Sequence, residues 1–386
     1  MYYSLAFKGS KILHCTFETF TFIFLFLTFS TRFISNDPVS LALCNIALLI
    51  VGFPSLGVAI RSNNRKIGLI IFASLICWLI ELLGRDGWNY RIEDYICSLA
   101  YLGVAYSFIY LEKSAVAYKL FYYFVVGFIL IKVLVLKIPI RDIMQYKASY
   151  NYISITCLFY LLLLNFLQWK QKEDFSYIPA ILFLVITVIS YGRGGIITGL
   201  FYLVGLIAVK TTLARKTIKI IFLQMFSFGV LVIACYYLYD YLLETRVFDK
   251  FAVYGFTGNG REIIWSTFIN SCTSSIPDFI FGGNPLSAAL PGDEQANLHN
   301  SFLQLYASFG LLFFVMMMFF FVEKIIRAIG YKDYWMLLII GTFTVRAFTD
   351  LVMYRSFCEI IFYIILLSGG TKYFFKPKRD LVKNEL

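Results

Sequence analysis

Long apolar segments that recur along the whole chain are the feature that most restricts its fold. Segments of about 17 to 25 apolar residues have the length that a helix needs to cross the hydrocarbon core of a bilayer. Hydrophobic residues make up 60% of the 386 residues and charged residues only 15%, which is more apolar surface than a water-soluble domain can bury. The sequence therefore predicts an all-α, polytopic membrane protein.

The apolar pattern predicts about twelve spans within a single transmembrane domain that covers residues 1–386. One long polar interruption, at residues 239–300, predicts a large external loop with short helices between the ninth and tenth spans. The spans are expected at residues 16–34, 38–60, 67–83, 94–111, 115–136, 150–168, 176–191, 194–210, 217–238, 301–322, 333–350 and 355–371.

The distribution of positive charge predicts the orientation of the chain. An even number of spans puts both termini on one side, and with that side in the cytoplasm well over half of the 34 lysines and arginines lie in cytoplasmic segments. Cytoplasmic loops are enriched in these residues, so both termini are expected inside and the long loop outside. The same distribution accounts for the net charge of +11, so the expected partner is the lipid bilayer and not nucleic acid.

The chain has only two histidines, His14 and His299. His299 stands where the long loop meets the tenth span, and a neutral imidazole in that position can act as a general base on a hydroxyl group. The alternative is a histidine that is held structurally at the junction of loop and helix. The external position favours the catalytic interpretation.

Two arginines are candidates for binding an anion. Arg193 separates two apolar runs, and an arginine at the membrane edge tends to have an anionic partner. The adjacent Gly194 and Gly195 allow a bulky anion to approach the backbone. Arg261 opens a predicted helix, where phosphate groups favour the positive end of the helix dipole. The alternatives are that Arg193 reaches lipid head groups and that Arg261 is an ordinary solvated side chain.

Apolar residues at helical spacing predict an amphipathic helix over residues 261–273 within the loop. From Ser274 to Asn297, glycines and prolines predict irregular loop. Five further arginines are expected on the external side, and nothing in their local sequence selects among them: Arg85, Arg91, Arg141, Arg346 and Arg355.

The sequence offers little that could bind a metal ion or a nucleotide. No two acidic residues are separated by a single residue, so the Asp-x-Asp pattern that holds Mg²⁺ against a diphosphate does not occur. The chain has only two histidines and no cluster of cysteines, so its sequence does not predict a zinc site. It also contains no phosphate-binding glycine loop. We therefore expect neither a metal nor a cofactor, and arginines must supply the charge that would stabilise a diphosphate.

Several of these segments resemble the O-antigen polymerase and O-antigen ligase superfamily. The similar segments are Ser190 to Gly195, Arg261 to Trp265, Phe281-Gly282-Gly283-Asn284, and His299-Asn300 separated by nine residues from Gly310. The expected topology is also similar over nearly the full length. Two differences, the insertion of Tyr191-Gly192 before Arg193 and Phe313 in place of a second glycine, count against the ligase more than against the polymerase.

The resemblance implies a metal-independent, inverting glycosyltransferase on the periplasmic face of the bacterial inner membrane. Its donor would be a glycan on undecaprenyl diphosphate and its acceptor the lipid-linked incoming repeat unit, with a chain-length regulator as a protein partner. By analogy, His299 would activate the acceptor hydroxyl, while Arg193 and Arg261 would neutralise the departing diphosphate. Trp265 and Asn300 would contribute to substrate binding, and Asp293 or Glu294 could pair with His299.

Two other functions fit the sequence. The related ligase, which transfers finished polymer to lipid A-core, shares the fold and chemistry and differs in its acceptor. A flippase or transporter of lipid-linked oligosaccharide would also be helical and basic, but transporters commonly contain internal repeats and charges near mid-membrane. The sequence shows no repeat, and its charges gather near the external side, so the polymerase is preferred.

Overall fold

A computed structural model of the chain describes residues 11–62, 64–82, 92–144, 151–213, 261–283, 297–354 and 356–369. Those residues form helices joined by turns, and they contain no β-strand. The helices in chain order are α1 (Lys11–Phe33), α2 (Pro38–Arg61), α3 (Arg65–Leu82), α4 (Ile92–Tyr110), α5 (Ala115–Leu130, continued by a π-helical turn at Ile131–Val135), α6 (Ile140–Ile143), α7 (Asn151–Gln171), α8 (Tyr177–Ile189), α9 (Arg193–Leu213), α10 (Arg261–Cys272), α11 (Ile276–Phe281), α12 (Ser301–Gly330), α13 (Tyr334–Ala347) and α14 (Glu359–Leu367).

The all-α class is confirmed for the described part of the chain, and its helices fall on eleven of the twelve segments expected to be spans. Five helices are long and apolar enough to cross a membrane, namely α2, α5 with its π-helical turn, α7, α9 and α12. The expected span at 217–238 and the loop segments 239–260 and 284–296, with Asp293 and Glu294, lie outside the described residues. The number of spans stays a prediction.

Helix α7 forms the centre of the helical body. Every residue from Ile153 to Trp169 is buried, and the helix packs against α5, α8, α9, α13 and α14. A helix that is apolar on all faces is stable only when other helices surround it. Two of its polar side chains bond to neighbouring helices: the Asn165 amide donates to the Tyr202 hydroxyl at 2.7 Å, and the Tyr160 hydroxyl donates to the carbonyl of Leu25 at 2.8 Å.

Helices at the periphery of the helical body have apolar side chains on their outer faces. Helix α2 exposes Leu43, Ile46 and Ile50, and α9 exposes Phe201 and Val204. Exposure of so much apolar surface to water is unfavourable, whereas lipid acyl chains solvate it. The outer faces of these helices are therefore compatible with contact to lipid.

The helical body has two ends, and we name them by the residues of α7. The loop end contains Asn151, whose carbonyl accepts a hydrogen bond from Arg346 at 3.1 Å. The basic end contains Lys170, whose ammonium donates to the carbonyl of Leu111 at 2.6 Å. A helix of 21 residues is about 30 Å long at 1.5 Å per residue, which is about the thickness of the hydrocarbon core.

One expectation about local structure was wrong, and one helix contains a break that the sequence did not predict. The segment after Ser274 does not begin as irregular loop, because Ser275 caps the short helix α11 and Gly282 ends it in the left-handed conformation. Proline in the first turn and glycine at the end are the sequence signals for this helix. The tenth span is also interrupted: Gly310, with φ 76° and ψ 179°, breaks the helical geometry within α12.

Candidate active site at the loop end

The two loop helices pack directly on the first turns of α12. Gly282 has φ +94°, and a Cβ atom there would lie 2.2 Å from the carbonyl oxygen of Tyr306. Gly310 has φ +76°, and a Cβ atom there would lie 2.8 Å from the carbonyl oxygen of Ile280. Only glycine fits at these two positions, because each combines a left-handed backbone with a close backbone neighbour. The backbone of Ile280 and Phe281 is thus held against the break in α12.

This contact gives a physical reason for two of the segments that suggested the family resemblance. Phe281-Gly282-Gly283 and Gly310 are far apart in the sequence, yet Phe281 Cα lies 3.0 Å from a Cβ atom placed on Gly310. The Tyr306 hydroxyl strengthens the contact by donating to the carbonyl of Phe279 at 2.6 Å. The glycines at these positions therefore fix the loop helices to the start of α12.

His299 lies directly before the N-terminus of α12. Its φ is +49°, in the left-handed region that residues other than glycine rarely adopt. His, Asn and Asp adopt it more often than most other residues. Its backbone N–H donates to Asn297 Oδ1 at 2.8 Å. The next residue, Asn300, is the N-cap, and its side chain accepts from the backbone N–H groups of Phe302 and Leu303. Helix α12 therefore begins two residues after His299.

The backbone before His299 is held by both sides of the site. The carbonyl of Leu298 accepts from Trp265 Nε1 at 2.7 Å, and its N–H donates to Gln304 Oε1 at 3.2 Å. Leu298 is itself buried, with Ile264 and Phe268 of α10 in the same apolar cluster. Trp265 therefore positions the histidine segment, and its role in binding a sugar stays a prediction.

Arg193 and Arg261 are each the first residue of a helix, α9 and α10. The structure brings them close enough for their charges to interact. Partial burial lowers the pKa of Arg261 from its ordinary value, Asp350 opposes that shift, and the positive charge of Arg193 adds to it. Two guanidinium groups at helix N-termini form a region of positive potential, because the unpaired N–H groups of the first turn add to their charge.

Arg346 is a third arginine in this cluster. It is only 1% exposed, and its Nη2 donates to Asp350 Oδ2 at 3.2 Å and to the carbonyl of Asn151 at 3.1 Å. Its charge also interacts with that of Arg261. Within the described part of the chain, its Nε and Nη1 atoms have no hydrogen-bond partner. Buried donors without a partner are rare, so these two groups are candidates for contacting an anion.

A hydrogen-bonded turn joins the arginine cluster to the histidine segment. The Ser301 hydroxyl donates to the carbonyl of Asp350 at 2.6 Å and accepts from the N–H of Val352 at 2.8 Å. Ser301 is the second residue after His299, and Asp350 is the ion-pair partner of Arg346. The imidazole of His299 and the guanidinium group of Arg346 therefore lie at the same end of the helical body. The segments that carry them are joined by hydrogen bonds.

Gly194 and Gly195 allow close packing of helices in this structure. A Cβ atom on Gly194 would lie 2.7 Å from Thr349 Oγ1 and 3.0 Å from Arg346 Nη1, and one on Gly195 would lie 2.7 Å from Ser154 Oγ. The absence of a side chain at Gly194 thus lets Arg346 approach the start of α9. Direct contact of the two glycines with substrate stays a prediction.

The sequence contains one signal for the ion pair between Arg346 and Asp350. Arg346 and Asp350 are opposite charges four residues apart in an apolar segment, and that spacing puts both side chains on one face of a helix. Charged residues inside a span are costly and usually functional. Sequence reasoning placed Arg346 among five equivalent arginines and did not consider Asp350.

Comparison with known proteins leaves the family open. The sequence matches no protein-family model, and no curated protein is significantly similar to it. Among the described residues, no group of three or more His, Cys, Asp and Glu side chains could hold a metal ion. The case for a function therefore rests on the residues at the loop end and on their geometry.

Proposed function

We propose that this chain is a membrane-embedded glycosyltransferase of the O-antigen polymerase type. It transfers a growing glycan from undecaprenyl diphosphate to the lipid-linked incoming repeat unit, on the periplasmic face of the bacterial inner membrane. The main support is the convergence of three arginines, Arg193, Arg261 and Arg346, at the end of the helical body that also holds His299. Such a site suits a lipid-borne anion, because Arg193 and Arg261 are only partly buried and each begins a helix.

The arginine cluster supports binding of a diphosphate in particular. Asp350 is the carboxylate that interacts with both Arg261 and Arg346, so the cluster keeps an excess of positive charge. A guanidinium group can donate two parallel hydrogen bonds to phosphate oxygens. Three such groups would stabilise the two phosphates of the leaving group without a metal ion.

The proposed reaction uses His299 as the general base. The imidazole accepts the proton of the acceptor hydroxyl while that oxygen forms a bond to the anomeric carbon of the donor sugar. The bond between the anomeric carbon and the diphosphate oxygen breaks, and its electron pair leaves with undecaprenyl diphosphate. Attack from the side opposite the leaving group inverts the configuration at the anomeric carbon.

Elongation by the purified protein tests the proposal. We expect the full chain in detergent, supplied with lipid-linked repeat units and excess EDTA, to form a ladder of longer glycans on a gel. His299→Ala should lower the rate by about 10²- to 10⁴-fold, the contribution of a general base. His14→Ala is the matched control and should elongate at the rate of the unaltered protein. Full elongation by His299→Ala contradicts the proposed base.

The same assay separates the alternative functions. Detergent has no compartments, so a flippase would give no new glycosidic bond in it. A ligase would leave lipid-linked units unchanged until lipid A-core is added. In cells, deletion followed by lipopolysaccharide gel analysis makes the same distinction: a single-repeat product indicates loss of a polymerase, and free polymer beside bare core indicates loss of a ligase. A chain-length regulator, if it is a partner, would change the length of the ladder and not its presence.

A further inference from the structure

The basic end of the helical body contains a large cavity that the proposed reaction does not use. Its volume is about 1180 Å³, which is somewhat above the roughly 300–1,000 Å³ of ordinary ligand sites. Two carboxylates, Glu18 and Glu112, are among its lining residues. Six lining residues are basic: Arg65, Lys66, Lys113, Lys170, Lys324 and Arg327. The lining is therefore cationic, although Glu323, which is not itself a lining residue, forms salt bridges with Lys66 and Arg327.

Two of these lysines are almost fully buried and have neutral partners. Lys113 and Lys324 are each 4% exposed. Lys113 Nζ donates to Thr21 Oγ1 at 3.3 Å, and Lys324 Nζ donates to the carbonyl of Ser368 at 2.8 Å. Neither takes part in the salt bridges found between described residues. Glu18 and Asp333 attract these two ammonium groups without forming salt bridges to them. A buried charge is expensive without a directly paired counter-charge, so an anion in the cavity would further stabilise both.

Helix capping explains only part of this cluster. Lys170 donates to the carbonyls of Phe108 and Leu111 at the end of α4, as lysines commonly do at helix C-termini. Arg65, by contrast, is the first residue of α3, and Lys113 precedes Ser114, the N-cap of α5. Cations at helix starts have no favourable interaction with the helix dipole. Their position fits an external anion better than it fits capping.

The pKa of Lys113 reflects its burial, which its charged neighbours do not offset. Burial lowers the pKa of this ammonium to about 8, Glu18 opposes the shift, and the positive charge of Lys170 adds to it. Lys113 lies between α4 and α5, outside the helices. An added phosphate would favour its charged form.

We propose that this cavity binds the phosphate-bearing head group of an anionic phospholipid. The cavity lies at the ends of helices about as long as the hydrocarbon core is thick, which is the depth of the head-group layer. Basic pockets between membrane helices are suited to such head groups. Apolar and aromatic lining residues, Ile109, Tyr110 and Leu367, can contact the glycerol backbone and the first acyl carbons. The proposal does not depend on the proposed glycosyltransferase activity.

Native mass spectrometry of the purified full chain tests this proposal. The protein in neutral detergent is titrated separately with cardiolipin, phosphatidylglycerol and phosphatidylcholine, and then with inorganic phosphate and pyrophosphate as competitors. We expect retention of the two anionic lipids and little retention of phosphatidylcholine. Binding of free phosphate or pyrophosphate in preference to the lipids would contradict a lipid ligand.

Two double variants locate the binding. Each basic residue near an anionic surface contributes about a fivefold preference, so removing two should weaken lipid retention roughly 30-fold. Arg65→Gln with Arg327→Gln changes exposed side chains and should fold normally. Lys113→Gln with Lys324→Gln changes the buried ones.

The matched control is Lys119→Gln, which removes a lysine of α5 that does not line the cavity. We expect it to retain anionic lipid as the unaltered protein does. Retention by the Arg65 and Arg327 variant equal to that of the control would overturn the proposal, even if the buried variant failed to fold. Equal loss in all three variants would also overturn it, because the effect would then follow net charge alone.

Discussion

The two ends of the helical body are both cationic, but they hold their charge in different ways. At the loop end the cations are arginines, of which Arg193 and Arg261 begin helices and Arg346 has an acidic partner. At the basic end the buried cations are lysines, and Lys170 and Lys324 donate to carbonyls at helix ends. Helix C-termini partly compensate a positive charge, whereas N-termini add to it.

The difference indicates different kinds of ligand. Guanidinium groups at helix starts favour an anion held in a fixed geometry, as a reacting diphosphate must be. Ammonium groups act as point charges around a roomy cavity, and such a site binds by charge and tolerates variation in its ligand. We therefore expect the loop end to be sensitive to side-chain geometry and the basic end to be sensitive mainly to charge.

The largest expected effect is loss of the buried ion pair at the loop end. Asp350→Leu leaves the Arg346 guanidinium buried without a counter-charge, which should lower the free energy of unfolding by about 3–5 kcal/mol. Arg346→Met combined with Asp350→Leu should recover most of that stability, yet remain inactive. Thermal unfolding of the detergent-purified variants measures the first effect and glycan elongation the second. An active double variant would exclude Arg346 from the reaction.

Exchange of arginine and lysine tests the contrast directly. Arg193→Lys and Arg261→Lys keep the charge but lose the paired donors, so each should slow elongation about 10- to 100-fold, as expected for one charged hydrogen bond. Lys324→Arg at the basic end should leave both elongation and lipid retention within about twofold. The contrast is wrong if lysine fully replaces arginine at the loop end.

Glycine substitution tests whether the loop helices must dock on α12. Gly282→Ala puts a Cβ atom 2.2 Å from the Tyr306 carbonyl at a φ of +94°, which should destabilise the contact by about 1–3 kcal/mol. We expect slower elongation, because Trp265 then no longer fixes the backbone before His299. Gly127→Ala in α5 is the control, since nothing lies within 4 Å of its Cβ position. That change should be neutral or stabilising.

The smallest expected effect is a pH dependence confined to the basic end. The pKa of Lys113 is lowered to about 8 by burial, against about 10.4 in an unfolded chain. Between these values the unfolded chain binds more protons, so the contribution of Lys113 to stability is unfavourable below pH 8 and is relieved as pH rises. Loss of its charge should weaken anionic lipid retention up to about fivefold between pH 7 and 9. Lys113→Arg, which keeps its charge over this range, should reduce that change.

The sequence predicted the elements whose residues are close together in the chain. The helix that begins at Arg261 follows from its apolar spacing, and the junction at His299 follows from the change from polar loop to apolar run. The break at Gly310 and the pairing of Arg346 with Asp350 depend on packing against distant segments. Local patterns cannot specify such contacts, because the neighbours that decide them are supplied by other helices.

Separate measurement of donor binding and of glycan transfer tests the central claim most directly. The claim is that the arginines of the loop end bind the lipid diphosphate while His299 acts only on the acceptor. Binding of undecaprenyl diphosphate and the rate of elongation are measured for the unaltered protein, His299→Ala and Arg261→Ala. We predict that His299→Ala binds the lipid within about twofold but fails to elongate, and that Arg261→Ala binds at least 10-fold more weakly. Unchanged binding by Arg261→Ala, or normal elongation by His299→Ala, would contradict the account.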